Sequence, residues 1–340
     1  MTKPVTIAVV AYNDGAVLEA CIESLRSVSD APIVIVDNAS DDDTLGIGRH
    51  LAAALPAISV VSAERNGGYA YGANLARTHI DTPYLAVMNA DCVATGDWLS
   101  PCIAALDADP GIGGCSPTVG LAGAAQLNAE GLSIHKTGFG FNRHLGHPLT
   151  SAARTPSETP GIQGTAFVVR TEALDRIGGW YEGGFLYHED VELSWALRSV
   201  GSTTWHVPTA PILHDYTLIM SAEKFFLLER NRIEMLSTYL HPATLVLLGP
   251  ALLMSEAAVW AYALLARGGL PGAKARSYGS FRERREQRRE RRAQVRAFRS
   301  VPDRELLASM EWRYPGRQLR TLRRGRPMQG RRGDRPMPTD

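Results

Sequence analysis

The stretch Val5–Asp43, VTIAVVAYNDGAVLEACIESLRSVSDAPIVIVDNASDDD, decides the fold. Val5–Ala11 is short, apolar and rich in Val, the mark of a buried strand. Val17, Leu18, Cys21, Ile22 and Leu25 recur at helical spacing, so the pattern predicts a helix over Val17–Ser27. Pro32–Val36 repeats the strand signal and runs into Asp37. The alternation continues outward: a helix over Leu45–Leu55, a strand over Ile58–Ser62, a helix over Gly68–His79 and a strand over Tyr84–Met88. Strands separated by helices of about ten residues imply βαβ units and a parallel sheet. Right-handed crossovers then gather the strand C-termini on one edge, where ligands bind. Polar clusters fall at those ends: Tyr12-Asn13-Asp14, Asp37 to Asp41, Arg65-Asn66 and Asn89-Ala90-Asp91. Folding alone does not call for four such clusters on one sheet edge.

The chain has 340 residues, 45% hydrophobic and 21% charged, which excludes wholesale disorder, collagen and a disulfide mini-protein. Its four cysteines, Cys21, Cys92, Cys102 and Cys115, form no CxxC pair and read as unpaired thiols of a reducing compartment. The apolar run Val5–Ala11 is too short for the core of a signal peptide with its cleavage site, and it reads as the first strand. A net charge of +1 hides a split. Arg267–Asp340 holds 22 Lys/Arg against 8 Asp/Glu, net +14, whereas Met1–Ala266 holds 14 against 27, net −13. An acidic body with a basic tail points to nucleic acid or an anionic membrane surface as partner.

Beyond residue 98 the pattern is mixed. Gly111–Thr159 is rich in Gly, Ala, Ser and Pro and reads as loops with short strands. Thr165–Arg170 and Thr203–Val207 carry strand signals, and Asp190–Val200 is an amphipathic helix. Ala222–Leu240 is a helix of mixed charge. Thr244–Ala266 is apolar but for Pro250, Ser255 and Glu256, and three readings stand open: a buried helix pair, a hairpin lying in the membrane plane, or a span. Arg282–Arg299 carries nine Arg and three Glu, as either a solvated helix laced with i,i+4 pairs or a phospholipid-facing patch. Arg323–Asp340 reads as disordered.

Five strings occur in order: TIAVVAYNDGAVLEACIESL from Thr6, IVIVDNASDD from Ile33, ERNGGYAYGANLA from Glu64, LAVMNADC from Leu85 and GGFLYHEDVELSWALRSVG from Gly183. Together they resemble glycosyltransferase family 2, over about Thr6 to Asp215, and within it bacterial rhamnosyltransferase-like enzymes of cell-surface polysaccharide assembly. The resemblance implies the GT-A fold: α/β, with a Rossmann-like, mixed but mostly parallel sheet flanked by helices, here with a C-terminal helical extension. It implies a nucleotide-sugar-binding half over 1–97 and an acceptor-binding half over 98–220; the apolar run and the charge add membrane-associated helices over 221–300 and a basic, partly disordered tail over 301–340. The implied activity is inverting transfer from a nucleotide-diphosphate sugar to a saccharide or polyprenyl-linked acceptor.

Such transfer needs a grip on base and ribose, positive charge on the leaving diphosphate, and a base for the acceptor hydroxyl. By resemblance Asp37 accepts from a ring N–H of the nucleobase; as a turn residue it also has ordinary Asx chemistry. Tyr12 and Asn13 end the first strand, where a ring can stack on the base, and Ala11 admits the backbone close to the nucleotide, with Asn38 beside Asp37. Asn66 and Gly68 open the third helix, whose N-terminus favours an anion, or Asn66 is its N-cap. Arg65 is placed to reach the diphosphate. Asn74 faces either the nucleotide or the sheet. Asn89-Ala90-Asp91 stands where the family has Asp-x-Asp, so one carboxylate is missing; Asp91 and His214 are the expected ligands of Mg²⁺ or Mn²⁺. Gln163 and Gly164 line the donor sugar. Asp190 is the expected catalytic base, with Glu189 orienting the acceptor. Trp180 and Tyr181, in a glycine-rich segment, are expected as a mobile aromatic loop against a sugar face, with His188 beside the acid pair.

A nicotinamide dehydrogenase is excluded, because Tyr12–Gly15 replaces the GxGxxG turn. A nucleotidyltransferase lacks its Gly-rich, Lys/Arg-bearing loop after the first strand. The alternative of another class is a non-catalytic membrane- or RNA-associated protein on a degenerate transferase fold. Few aromatics interleave the basic tail, so no nucleic acid partner is expected. The expected location is cytoplasmic and peripheral on the inner face of the cell membrane; a homodimer is left open.

Overall fold

The computed structural model describes residues 4–216, 219–266, 268–316 and 318. The first half alternates β1 (Val5–Ala11), α1 (Gly15–Val28), β2 (Ile33–Asp37), α2 (Thr44–Ala54), β3 (Ile58–Ser62), α3 (Tyr69–Arg77) and β4 (Tyr84–Met88). Then come β5 (Cys92–Ala94), α4 (Leu99–Ala108), β6 (Ile112–Ser116), β7 (Val119–Leu121), β8 (Leu127–Ala129), β9 (Leu132–Ile134), β10 (Gly140–Asn142), β11 (Ser157–Thr159) and β12 (Ala166–Arg170). Next are α5 (Thr171–Arg176), α6 (Glu189–Ser199), β13 (Thr203–His206) and β14 (Ile212–His214). Helices close the described chain: α7 (Ala222–Tyr239), α8 (Pro242–Leu247), α9 (Gly249–Ala266), α10 (Leu270–Glu283), α11 (Arg285–Phe298) and α12 (Asp303–Leu306).

Eight strands form one sheet in the order β11-β13-β6-β12-β4-β1-β2-β3. The four strands from β4 to β3 are parallel, and β12 enters antiparallel between β4 and β6. The sheet is therefore mixed but mostly parallel, as expected, and it runs unbroken across residue 98. Registers fix the edge that matters. Ala11 pairs with Asp37 across β1 and β2, and Ala166 pairs with Met88 across β12 and β4. A second sheet, β5-β14-β7-β8, sets His214 opposite Cys92.

Strand alternation divides the core into two layers. Ile7 and Val9 face α1, α2 and α4, packing with Leu18, Ile22 and Leu25. Ala8 and Val10 face the other way, onto Ala70 and Ala73 of α3 and Leu193 and Trp195 of α6. That second layer extends to Leu236 and Tyr239 of α7, Val295 of α11 and Leu306 of α12, so the C-terminal helices share the body's core.

Three expectations about the C-terminal part need correction. The apolar run 244–266 is not one element: it breaks between α8 and α9, with Pro250 in the first turn of α9, where a missing N–H costs nothing. Nor is it a buried helix pair. Val246, Leu247, Leu253, Met254, Leu264 and Leu265 are all at least 65% exposed. The carboxylate inside it is matched. Glu256 pairs with Arg232 of α7 and with Lys274 of α10 (2.7 Å), and both cations also meet buried Glu229 (2.7 and 2.5 Å). Two cations and two carboxylates thus balance one another, which is what lets them lie buried.

The arginine-rich segment is neither wholly solvated nor wholly a patch. Arg284 binds Glu234 (2.8 Å), Arg291 binds Glu192 (3.1 Å from Nε), and Arg292 donates to the Leu240 carbonyl (3.2 Å). Arg282, Arg285, Arg289 and Arg296 stay exposed. The tail does not loosen at 301 either. Tyr314 stacks on His135 (ring centroids 4.0 Å), and the Glu311 amide donates to the Ile134 carbonyl of β9 (2.9 Å). The disorder expected over Arg323–Asp340 lies outside the described residues.

Candidate active site

The site stands on the C-terminal edge of β1, β2 and β4. Asp37 ends β2 and is 2% exposed; its Oδ2 accepts weakly from the Ser40 amide (3.4 Å), while Oδ1 has no hydrogen-bond partner among the described residues. A buried carboxylate oxygen without a donor is costly, and a ligand N–H is the group that would satisfy it. Ala11 lies beside it, its carbonyl accepting from the Asn38 amide (2.8 Å). The loops after β1 and β2 are zipped together: the Asn13 side chain accepts from the Asp41 amide (2.8 Å), and the Asn13 amide donates to Ser40 Oγ (3.0 Å). Tyr12 sits partly exposed on this rim, its OH 3.5 Å from Asp41. Asn38 turns towards the next loop, donating to Asn66 Oδ1 (3.2 Å) and to the Gly68 carbonyl (3.0 Å).

After β4 the chain turns through Asn89 and Ala90 to Asp91. The Asn89 amide donates to the Thr165 carbonyl (2.9 Å), which ties this turn to the Gln163-Gly164-Thr165 segment ahead of β12. Gln163 is buried, its amide donating to Ser116 Oγ (2.8 Å). His214, at the end of β14, contacts Asn128 Oδ1 (3.0 Å) and Thr165 Oγ1 (3.2 Å) through Nδ1 and lies 3.4 Å from Asp91 Oδ1 through Nε2. Imidazole nitrogen and carboxylate oxygen thus stand side by side, a pair of donor types that can hold a divalent cation. Cys92 Sγ completes a group of three possible ligand atoms within 4.8 Å. Burial raises the Cys92 thiol well above its usual range, with Asp91 adding to it, so it keeps its proton. Carboxylate and imidazole are the donors that remain, and they suit a hard divalent cation.

The acid pair opens α6 on the facing wall. Asp190 Oδ2 accepts from the Gly164 amide (3.2 Å) and Oδ1 from the Val191 amide (2.8 Å). Burial pushes both carboxyls up, Glu189 to about 8, where Asp190 is the second cause. Two amide donors favour the anion on Asp190, whereas Glu189 Oε2 has no hydrogen-bond partner among the described residues. The pair therefore divides into a carboxylate, Asp190, and a protonated acid, Glu189. Next to them His188 is buried, and desolvation holds its imidazole down to about 3, so it is neutral.

The strap before α6 is strained. Phe185, Tyr187 and His188 have φ of +61°, +64° and +74°, a conformation costing non-glycine residues roughly 1–3 kcal/mol each. It closes over the start of α3, where the Phe185 carbonyl accepts from the Tyr69 amide (3.1 Å). The Gly68 amide is likewise taken, by Asn66 Oδ1 (3.0 Å). The first amides of α3 are thus not open to an anion as expected; the strap and Asn66 occupy them.

Other expected residues stand elsewhere. Trp180 is 4% exposed and packs on Phe167 in the core, so it is no mobile sugar-facing ring. Asn74 faces neither nucleotide nor sheet; it holds the 180–182 loop, accepting from the Trp180 amide (2.9 Å) and donating to Glu182 (2.8 Å). Arg65 is exposed and stacked on Tyr71 (4.7 Å). Tyr181 lies under the Arg291 guanidinium (4.8 Å), lining a small cavity beside Glu189 and Glu192. Several neighbours escaped the sequence reading. Glu192 sits one turn past Glu189 on the same helix face, a spacing that was visible. Asn128 and Asn231 gave no local signal, since His214 lies 86 residues from the first and the carbonyls the second donates to lie 44 or more residues away.

Residues 6–178 match the profile of the family described as Glycosyl transferase family 2. The N-acetylglucosaminyl-diphospho-decaprenol L-rhamnosyltransferase of Mycobacterium tuberculosis is 26% identical over 241 residues, which cover 63% of this chain and 76% of that enzyme. Among solved structures, GalNAc-T7 with UDP, GalNAc and Mn²⁺ superposes with a TM-score of 0.57 at 17% identity; the match covers 70% of this chain and 48% of that one. Residues 1–349 of S. aureus TarS in complex with UDP-GlcNAc give 0.54 at 15% identity, covering 92% and 94%. The mannosyltransferase PcManGT from Pyrobaculum calidifontis, with GDP-Man and Mn²⁺, gives 0.50 at 20% identity, covering 87% and 85%. At these identities the structural likeness is one of fold.

Proposed function

The chain belongs to glycosyl transferase family 2, and from that premise we propose that it moves a sugar, with inversion, from a nucleoside-diphosphate donor to a saccharide carried on a polyprenyl diphosphate. The observation that carries this reading is the Glu189–Asp190 pair, raised by burial and facing the Asn89–Asp91 turn through Gly164 and Thr165. Asp37 and the rim of Ala11, Tyr12 and Asn13 receive the base and ribose. Asp190 accepts the acceptor hydroxyl proton while its oxygen bonds to the anomeric carbon; the bond to the diphosphate oxygen breaks, and its electron pair leaves with the nucleotide. One carboxylate is enough for a single displacement. Glu189, still protonated at neutral pH, donates to the acceptor and orients it. A divalent cation held by Asp91 and His214, Mg²⁺ or Mn²⁺, would offset the charge of the leaving diphosphate.

The relative's printed activity suggests the finer assignment: an L-rhamnosyl donor and an N-acetylglucosaminyl-diphospho-polyprenol acceptor, in cell-surface polysaccharide assembly. A lipid-linked acceptor agrees with the exposed apolar face of α8 and α9. Glu256, on the opposite face, is tied into the ion pairs with α7 and α10, so the helices lie in the interface plane and do not span. Exposed Arg282, Arg285, Arg289 and Arg296 supply attraction to anionic headgroups. The enzyme then works peripherally on the cytoplasmic face. The non-catalytic alternative rested on Asn89 and the arginine tail, and much of that arginine surface is engaged with the body.

The test is a transfer assay with UDP- and dTDP-linked sugars, L-rhamnose among them, and N-acetylglucosaminyl-diphospho-polyprenol in phosphatidylglycerol vesicles. Metal-dependent transfer is expected, with the protein floating with the vesicles and the Leu253→Glu/Leu265→Glu variant staying in solution. No transfer, or a wild type that does not float, would overturn the corresponding half of the proposal.

The pH profile is a second expectation. Glu189 carries its proton through neutral pH and loses it near 8, so its donor role is present below that value and lost above it. The rate of transfer should fall as pH rises through about 8. Glu189→Gln keeps a neutral donor and should flatten that alkaline limb while retaining most of the neutral-pH rate. An unchanged alkaline limb in the variant would remove Glu189 from this role.

A further inference from the structure

The strap Gly184–His188 delivers the chain to Glu189, and its shape is not one that α6 requires. A helix starts from an ordinary extended N-cap; here His188 is left-handed, and Phe185 and Tyr187 before it are as well. Something outside the strap must hold it. On the α3 side the Tyr69 amide donates to the Phe185 carbonyl (3.1 Å). On the other side α7 holds it, with Lys224 over the Tyr187 ring (4.8 Å) and Asn231 at the strap carbonyls. Asn231 Nδ2 lies 3.0 Å from the Gly184 carbonyl, 3.1 Å from that of Leu186 and 2.8 Å from that of Tyr187. The orientation of the amide is not arbitrary. Its Oδ1 accepts from Arg230 Nε (3.0 Å), and a guanidinium can only donate, so the NH₂ group must point at the strap. Arg230 also reaches the Gly184 carbonyl itself (2.7 Å).

Three carbonyl oxygens turned towards one point repel one another. A neutral double donor at that point is what makes the arrangement stable. Asn231 is buried, so water does not readily take its place. The same side chain lines the small cavity that Glu189 and His188 also line.

We propose that Asn231 is a positioning residue for sugar transfer: its two N–H donors, shared among three strap carbonyls, hold the left-handed residues Phe185, Tyr187 and His188 that set Glu189 and Asp190 at the acceptor. The proposal rests on the reading of that pair as the catalytic acids. It makes the C-terminal helices part of the catalytic unit, because the strap is clamped between α3 of the donor side and α7. Asn231 then acts through the strap, so its loss should appear in turnover and not in donor affinity.

The experiment uses the full chain with Asn231→Ser, which is neutral and reaches at most one carbonyl, and Asn231→Gln, which keeps the NH₂ group and has the cavity to take one more methylene. Amide exchange over residues 185–190 is expected to be about tenfold faster in the Ser variant, with the central strands unchanged. In the transfer assay kcat should fall about a hundredfold with KM for the donor within about threefold. Asn231→Gln should recover most of both. Exchange at the wild-type rate in the Ser variant, a rise in KM with kcat preserved, or a Gln variant as impaired as the Ser one would each overturn the proposal. Exchange needs no substrate, so a wild type that turns over none of the sugars offered would defeat the functional reading while leaving the holding of the strap decided.

Discussion

Asp190→Asn is expected to lower kcat by about a thousandfold, the middle of the range for loss of a general base. The substitution is close to isosteric. Its amide oxygen can still accept from Val191 or Gly164, so the start of α6 should persist. What disappears is the only group in the pair that carries a charge at neutral pH. Glu189 does not replace it, because burial, the larger cause of its raised carboxyl, still opposes its ionisation once the Asp190 charge is gone. Nucleoside-diphosphate affinity should stay within about threefold of wild type, since Asp190 interacts with donor only as the transition state forms. Activity within tenfold of wild type, or donor binding lost together with turnover, would show that the base is elsewhere.

Gly68→Ala is expected to be nearly as damaging, for a different physical reason. Gly68 has φ of +82°, and an added Cβ would lie 1.9 Å from the Phe185 carbonyl oxygen. That is a backbone atom of the strap, so relief requires the strap to leave α3. The Tyr69–Phe185 bond would break, and Glu189 and Asp190 would lose one of their two clamps. A destabilisation of about 2–4 kcal/mol follows from strain and clash together, with transfer reduced at least about a hundredfold. Gly123→Ala is the control. Gly123 also has positive φ, +75°, but nothing lies within 4 Å of its added Cβ. It should cost about 1 kcal/mol and leave kcat unchanged. A Gly68→Ala protein with wild-type turnover would mean that the closed strap is not the working form.

The two substitutions separate what the sequence made legible from what it did not. The βα alternation was plain because apolar period alone assigns β1 to β4 and α1 to α3 their faces, and Asp37, Asn89 and Asp91 follow by sitting at strand ends. Asp190 was readable through the resemblance of its local string. Trp180 was misjudged because glycine neighbours suggested mobility, whereas the ring finds Phe167 across the core. Asn74 was left open between nucleotide and sheet, yet it holds a loop more than a hundred residues away. Glu256 looked like a flaw in an apolar helix because Arg232 and Lys274 lie on separate elements. Periodicity tells which way a side chain faces within its element. It does not tell which distant polar group meets it there, and Asn231 depends wholly on such meetings.

The most direct measurement is a calorimetric titration of UDP, dTDP, GDP and CDP into wild type and Asp37→Ala, each with and without Mn²⁺. One nucleotide should bind wild type, more tightly with the cation, and its affinity should drop about tenfold to a hundredfold when the Asp37 carboxylate, with its open Oδ1, is removed. Binding of none of the four, or binding indifferent to both Mn²⁺ and Asp37, would contradict the assignment of this edge as a nucleotide-sugar site.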